Sequence, residues 1–263
     1  MREKRIPELD GFRVLAVFIV SLFHIWQQSW LKPELFGVNL EFLARAGYVL
    51  VDATILLSGF LLYLPWVGAE RVPESAGRFY RKRAARILPS YLFVTFFMLF
   101  ADALPRALYQ QAWRPAMWKD ILTHLTLTFP FFQDTYHYTP LGGASWTIAI
   151  EAHFYLFFPF LARMARKRPG WVLGAMTGLA AYFRIWCLWS QESYQMTLNQ
   201  MANFLDVYAL GMGCAMIWPH LAALREKLSQ RRFGWRLLQQ GVATAALAAG
   251  LAGVTLLMKE QAR

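Results

Sequence analysis

Charge and cysteine are what this sequence has least of. Only 16% of its 263 residues are Asp, Glu, Lys or Arg, against 57% hydrophobic. An ordinary soluble domain, with about a quarter of its residues charged, is thereby excluded. The two cysteines, Cys187 and Cys214, both fall in apolar segments and exclude a disulfide framework. No cysteine or histidine cluster has metal-ligand spacing, so no metal is expected. Acid is scarcer than base, 16 residues against 27, for a net charge of +11. In a soluble protein that balance would suggest nucleic acid. Here the bases collect at the ends of apolar runs, which argues for orientation in a membrane and against nucleic acid. Internal repeats and low-complexity linkers are also missing. So is a small-residue cleavage site after the first apolar run, where bulky Trp26, Gln27 and Gln28 follow. That run is expected to stay as a signal anchor within a single membrane domain over residues 1–263.

What is present is a series of long apolar segments. Six are long enough to cross ~30 Å of hydrocarbon and a seventh is a further candidate; they run near residues 9–30, 46–67, 87–104, 144–163, 171–189, 203–219 and 237–258. A further stretch, Ile121 to Phe132, is too short and ends at Pro130. If it does not cross and the N-terminus is cytoplasmic, the segments 1–13, 68–86, 163–170 and 220–236 are cytoplasmic. They then carry 19 of the 27 Lys and Arg. Crossing at 121–132 would put Arg163, Arg166, Lys167 and Arg168 outside. The positive-inside rule therefore predicts an all-α polytopic transmembrane helix bundle of about seven spans with a cytoplasmic N-terminus, residues 121–132 lying at the outer interface.

Ionisable residues inside such spans are costly and mark functional sites by default. Arg13 and His24 are eleven residues apart, three helical turns plus ~20°, on one helix face and ~16 Å apart. In the predicted topology His24, Asp52 and Glu151 all lie about 10 Å below the outer surface, whereas Arg13 lies near the inner one. A histidine with a carboxylate at one depth is what general-base chemistry on a hydroxyl requires, the carboxylate fixing the tautomer and stabilising the imidazolium. The bland counterpart is a histidine bonded to a neighbouring helix for packing alone. Arg83 and Arg86, at the end of the basic run Arg78–Arg86 in the loop after the second span, are helix neighbours whose guanidinium groups suit phosphate. The run also serves topology or lipid headgroups on its own account. Tyr155, four residues after Glu151, either orients that carboxylate or is core. Arg184 either pairs with a carboxylate or an acyl acceptor or snorkels to the outer interface; about five residues from that end, it is expected to snorkel. Ser58-Gly59 and the Gly174, Gly178 pair read as close helix packing. His137 and His153 are expected at the surface or in packing.

Four ordered segments together resemble the acyltransferase-3 family. Leu9-Asp10-Gly11-Phe12-Arg13 with His24 is similar to its first-helix signature, and Gly47–Asp52 through Leu57-Ser58-Gly59-Phe60-Leu61 to its second-helix pattern. Arg83-Ala84-Ala85-Arg86-Ile87-Leu88-Pro89 resembles its basic entry to the third helix, and Ser145–Tyr155 its Trp-Ser-Leu-Ser-Val-Glu-x-x-Phe-Tyr segment. The resemblance implies a membrane O-acyltransferase in which an acyl-CoA, such as acetyl-CoA, binds as co-substrate from the cytoplasmic side. The acyl group passes to a hydroxyl of a sugar or lipid-linked glycan. It implies His24 as the catalytic residue and Arg13 as its support, with Glu151 in the catalytic set. Arg83, Arg86, Asp52, Tyr155 and Asp10 are expected to hold substrate. No permanently bound cofactor is expected, and the location expected is the bacterial cytoplasmic membrane. Two departures stand out: Ala149 where the family has Ser, and about seven helices where members commonly have about ten. A fragment or a shortened member is expected on that count. A second reading stays open, a non-catalytic glycolipid-binding or transport protein of the same fold, since intramembrane His, Asp and Glu also serve proton relays.

Overall fold

A computed structural model describes residues 6–29, 32–39, 41–69, 74–109, 117–190 and 194–229. Its described residues are overwhelmingly helical. Six helical stretches are long and apolar enough to cross a membrane: Leu9–Gln27, Ala44–Trp66, Ala76–Tyr109, Trp146–Lys167, Pro169–Ser190 and Met201–Leu224. The protein is thus a multi-pass, all-α integral membrane protein. The seventh expected span, 237–258, lies outside the described residues. By packing, the chain divides into two compact units, Met1–Ser58 with Gly213–Arg263, and Gly59–Met212.

In the first unit α1 (Pro7–Ser29) opens on a proline, whose missing N–H is no loss in a first turn. A two-residue antiparallel ribbon, β1 (Glu34–Leu35) and β2 (Val38–Asn39), follows. Its turn residues Phe36 and Gly37 both have positive φ, 49° and 77°, as a tight hairpin requires. Next come α2 (Glu41–Ala46) and the start of α3 (Val49–Tyr63). Gly47, between them, lets α1 approach closely: a Cβ there would lie 2.7 Å from Phe23 Cβ and 2.9 Å from the Ile19 carbonyl.

The second unit is built on α4 (Ala76–Met98), a wide helical turn at Leu99–Ala103, α5 (Leu104–Tyr109), α6 (Met117–Leu125), α7 (Gln133–His137), α8 (Trp146–Lys167), α9 (Pro169–Ser190), α10 (Tyr194–Leu198) and the start of α11 (Leu205–Ser229). The basic run corrects one expectation. Residues 78–86 are not loop: Ser75 caps α4 by accepting from the Arg78 N–H, and nothing from Arg78 to Leu88 breaks a helix. At 34 residues, or ~51 Å, the Ala76–Tyr109 stretch outruns a ~30 Å bilayer, so its basic first turns can project beyond the hydrocarbon.

Residues 121–132 form no span. Helix α6 stops in a Schellman arrangement with the Thr128 N–H on the Thr123 carbonyl (2.8 Å) and the Leu127 N–H on that of His124 (3.0 Å). Leu127 takes the left-handed position (φ 58°) that glycine usually occupies. The segment after it is held by side chains. Thr135 donates to the Phe129 carbonyl (2.9 Å), Tyr91 to that of His124 (2.8 Å), and Lys119 bridges Asp134 (2.8 Å).

His124, unremarked in the sequence, is fully buried, stacked on Phe129 at 4.2 Å, and bonded through Nδ1 to the Asp120 carbonyl. A carbonyl only accepts, so Nδ1 carries a proton. Burial pushes its pKa down to about 4 against the opposing pull of that backbone bond. The unfolded imidazole titrates near 6.5, so it takes up its proton first as the pH falls. Stability is therefore expected to be full above pH ~6.5 and to drop by up to ~3 kcal/mol between there and pH ~4. His124→Gln should lose that part of the pH dependence. Melting curves of both proteins across pH 4–8 in detergent test this, and parallel profiles would refute it.

Candidate active site

The second unit holds four of the eight residues expected in the site: Glu151, Tyr155, Arg83 and Arg86. Glu151 sits on the second turn of α8, and Tyr155, one turn on, donates its hydroxyl to Glu151 Oε2 at 3.0 Å. Both readings left open for Tyr155 describe its geometry: its hydroxyl meets the carboxylate, and its ring is buried core. Helix α4 is fastened alongside by the Tyr80 hydroxyl on the Leu156 carbonyl (2.8 Å). Phe79, buried, stacks on Phe158 (5.3 Å) and meets Tyr155 edge-on (6.0 Å).

Arg83, one turn after Phe79, lies with its guanidinium 5.4 Å from the Phe79 ring centre and 5.7 Å from that of Tyr155. Such stacking holds a cation without using its N–H groups. Its Nε is buried and has no hydrogen-bond partner among the described residues. The residue as a whole is half-buried, and a guanidinium suits a phosphate or carboxylate oxygen. Arg86 is exposed, and its charge bears on Tyr155 together with those of Glu151 and Arg83.

Tyr208, on α11, completes the group and was not anticipated. It is fully buried, lies face to face with Phe154 at 3.6 Å, and its hydroxyl has no partner among the described residues. The Glu151 charge and the Tyr155 phenol both bear on it. Gly59 is what admits it: a Cβ on Gly59 would stand 2.6 Å from the Tyr208 carbonyl oxygen. The expectation of close packing at Gly59 is met. The same expectation for Gly174 and Gly178 is not, because a Cβ at either would meet nothing within 4 Å among the described residues.

Arg184 also departs from expectation. Instead of snorkelling it is clasped by α11 and the turn before it. Nη1 and Nη2 bind both Asp206 oxygens (2.7 and 2.9 Å), Nε binds Asn203 Oδ1 (2.8 Å), and Nη2 also reaches the Asn203 carbonyl (2.7 Å). A bidentate carboxylate beside the guanidinium outweighs hydration at a remote interface. His153 packs against Phe131 (5.0 Å) and His137 is exposed, as expected.

The remaining expected residues belong to the first unit. Asp10, Arg13 and His24 share the unbroken α1, so the ~16 Å spacing of Arg13 and His24 stands. All three are half-buried, and the His24 ring leans on Phe23 at 5.2 Å. Asp52 lies in the first turn of α3 and is exposed. Beside His24, the elbow residues Gly47 and Tyr48 are what meet α1, through Phe23.

Comparison with known proteins bears on what this arrangement does. The model of an acyltransferase-domain family matches residues 6–258. The chain is similar to acyltransferase MdmB of Streptomyces mycarofaciens, 30% identical over 175 residues, which is 64% of this chain and 42% of that protein. It is also similar to peptidoglycan O-acetyltransferase OatA of Listeria monocytogenes, 24% identical over 198 residues, 70% of this chain and 29% of that one. With O-acetyltransferase OatA of Staphylococcus aureus the identity is 26% over 161 residues, 59% of this chain and 24% of that one. The chain thus spans less than half the length of these relatives. No solved structure matches it.

Proposed function

This chain belongs to the acyltransferase-3 family, and on that premise we propose that it is a membrane O-acyltransferase of the bacterial cytoplasmic membrane. The donor is a cytoplasmic acyl-CoA, acetyl-CoA in the first instance. The acceptor is a hydroxyl of a cell-envelope carbohydrate, a class to which the peptidoglycan named for the Listeria relative belongs. The observation that carries the reading is Arg83, packed against the rings of both Phe79 and Tyr155 with a buried Nε that has no partner among the described residues. A guanidinium held that way is preorganised for a phosphate, and a CoA donor brings phosphates. Arg86, exposed one turn away on α4, adds a second cation for the same group. His24 takes the proton from the acceptor hydroxyl and Arg13 supports it. Glu151, oriented by Tyr155, is assigned to the catalytic set. Asp10 and Asp52 are assigned to substrate.

Arg83→Ala is expected to raise the apparent KM for acetyl-CoA at least tenfold with kcat changed much less. Arg83→Lys should recover little, since a lysine keeps the charge but not the planar stacked fork. Steady-state kinetics at varied acetyl-CoA, with direct acetyl-CoA binding to the purified protein, checks both. An unchanged KM in Arg83→Ala would remove the phosphate role. Failure of the wild-type protein to bind acetyl-CoA would favour the non-catalytic carrier, which has no use for a CoA phosphate site.

A further inference from the structure

The 3₁₀ turn Met201–Phe204 and the residues just before it carry planar polar side chains that the chemistry above leaves unused. Asn203 and Asp206 hold Arg184 by four hydrogen bonds. Asn199 donates through Nδ2 to the Tyr136 hydroxyl. Gln200 gives its amide N–H groups to the carbonyls of Pro130 and Met196, leaving Oε1 buried without a partner among the described residues. Counting what each group can do, Asn203 keeps its Nδ2 donors, Asn199 its Oδ1 acceptor and Tyr136 its hydroxyl proton. Asn199 and Asn203 are half-buried, and so reachable.

These are donors and acceptors in close sequence, anchored on four elements: α7, α9, α10 and the turn Phe129–Phe131. They adjoin an aromatic wall, Trp146 stacked on Phe204 at 6.0 Å. Trp146 is five residues before Glu151 on α8, a rise of ~7.5 Å and a turn of about 140° around the helix axis. Phe204 is one turn from Tyr208. A fixed array of amides beside aromatic faces fits a polyhydroxylated ring, whose hydroxyls each need both a donor and an acceptor and whose C–H faces stack on aromatics. The charge argument narrows it further. Because Arg184 is already matched by Asp206, the strip offers no spare cation, and a neutral ligand fits better than an acidic one.

We propose that this strip is the acceptor subsite, binding a neutral sugar ring and presenting one hydroxyl toward Glu151. The proposal rests on the acyltransferase reading. The test is saturation-transfer NMR on the full chain in detergent, with chitotetraose, maltotetraose and mannotetraose as neutral probes and a tetragalacturonate as the acidic one. At least one neutral probe is expected to bind, and to bind about tenfold more weakly in both Tyr136→Phe and Asn203→Ala. Tyr136→Phe removes one oxygen only, and Asn203→Ala leaves Arg184 three of its four bonds, so both should fold; a melting curve of each confirms it. Acetyl-CoA binding should be unchanged in both. Binding of no neutral probe, preference for the acidic one, or wild-type affinity in either variant would each overturn the subsite. If acetyl-CoA binds the wild type in those cases, the acyltransferase reading survives. Sugar binding that depends on these residues in a protein blind to acetyl-CoA would retain the subsite and remove the transferase.

Discussion

Replacing His24 by alanine is expected to lower acyl transfer by about three orders of magnitude while the protein still inserts and folds. The size follows from the role. A positioned general base contributes roughly 10²–10⁴-fold, and alanine has no atom that can take a proton. Insertion should not suffer, because exchanging an imidazole for a methyl makes α1 more apolar and more helix-prone. The packing lost is small: His24 is half-buried and its ring contact is with Phe23 at 5.2 Å, worth ~1 kcal/mol. His24→Gln sharpens the test, since glutamine keeps hydrogen bonding in a similar volume and cannot act as a base near neutral pH. Both variants are expected to fail in turnover while binding acetyl-CoA as the wild type does. The measurement is transfer from labelled acetyl-CoA to purified envelope glycan, read by mass spectrometry. Turnover within a few-fold of wild type in either variant would take the base role away from His24.

What could be read in the sequence was what is local. Glu151 and Tyr155 are one helical turn apart, and their hydrogen bond follows from that spacing alone. Arg13 and His24 share one helix, so their separation needed no tertiary information. The apolar runs marked the six helices that the structure places, because length and composition decide what can cross a bilayer. What escaped depends on partners distant in sequence or on a residue acting out of type. Arg184 was visible as a charge inside a helix, but its partner Asp206 is 22 residues on, across a helix pair. Tyr208 reads as one aromatic in an apolar run until Phe154 and Gly59 are packed against it. Helix α6 ends at Leu125 and the chain turns at Leu127 in a conformation that a glycine would have announced. Gly59 and Gly174 look alike as text, and only the fold shows that one is filled and the other open.

That difference yields a second large expected effect. Gly59→Ala should destabilise the protein by ~2 kcal/mol, and Gly59→Val should prevent it from accumulating folded. A Cβ on Gly59 would lie 2.6 Å from the Tyr208 oxygen and 3.1 Å from its Cα. Those are main-chain atoms of a helix, so relief requires the helices to part, and overpacking of this kind typically costs 1–3 kcal/mol or more. The strain would also reach the candidate site, since Tyr208 is stacked on Phe154, and Phe154 is three residues from Glu151 on the same helix. Gly178→Ala is the matched control: it too adds one methyl to a membrane helix, but into space that is open among the described residues. Cys187 supplies the reporter. It is a free, buried thiol, whereas Cys214 is exposed. In a Cys214→Ser background, Cys187 is the only thiol left of two. Its rate of labelling by a maleimide dye against temperature then follows opening of the unit that also holds Gly59. Labelling midpoints several degrees lower in Gly59→Ala and unchanged in Gly178→Ala would bear the packing out. Equal midpoints in all three would mean that the Gly59–Tyr208 contact is looser than 2.6 Å implies, and with it the placement of Tyr208 beside Glu151.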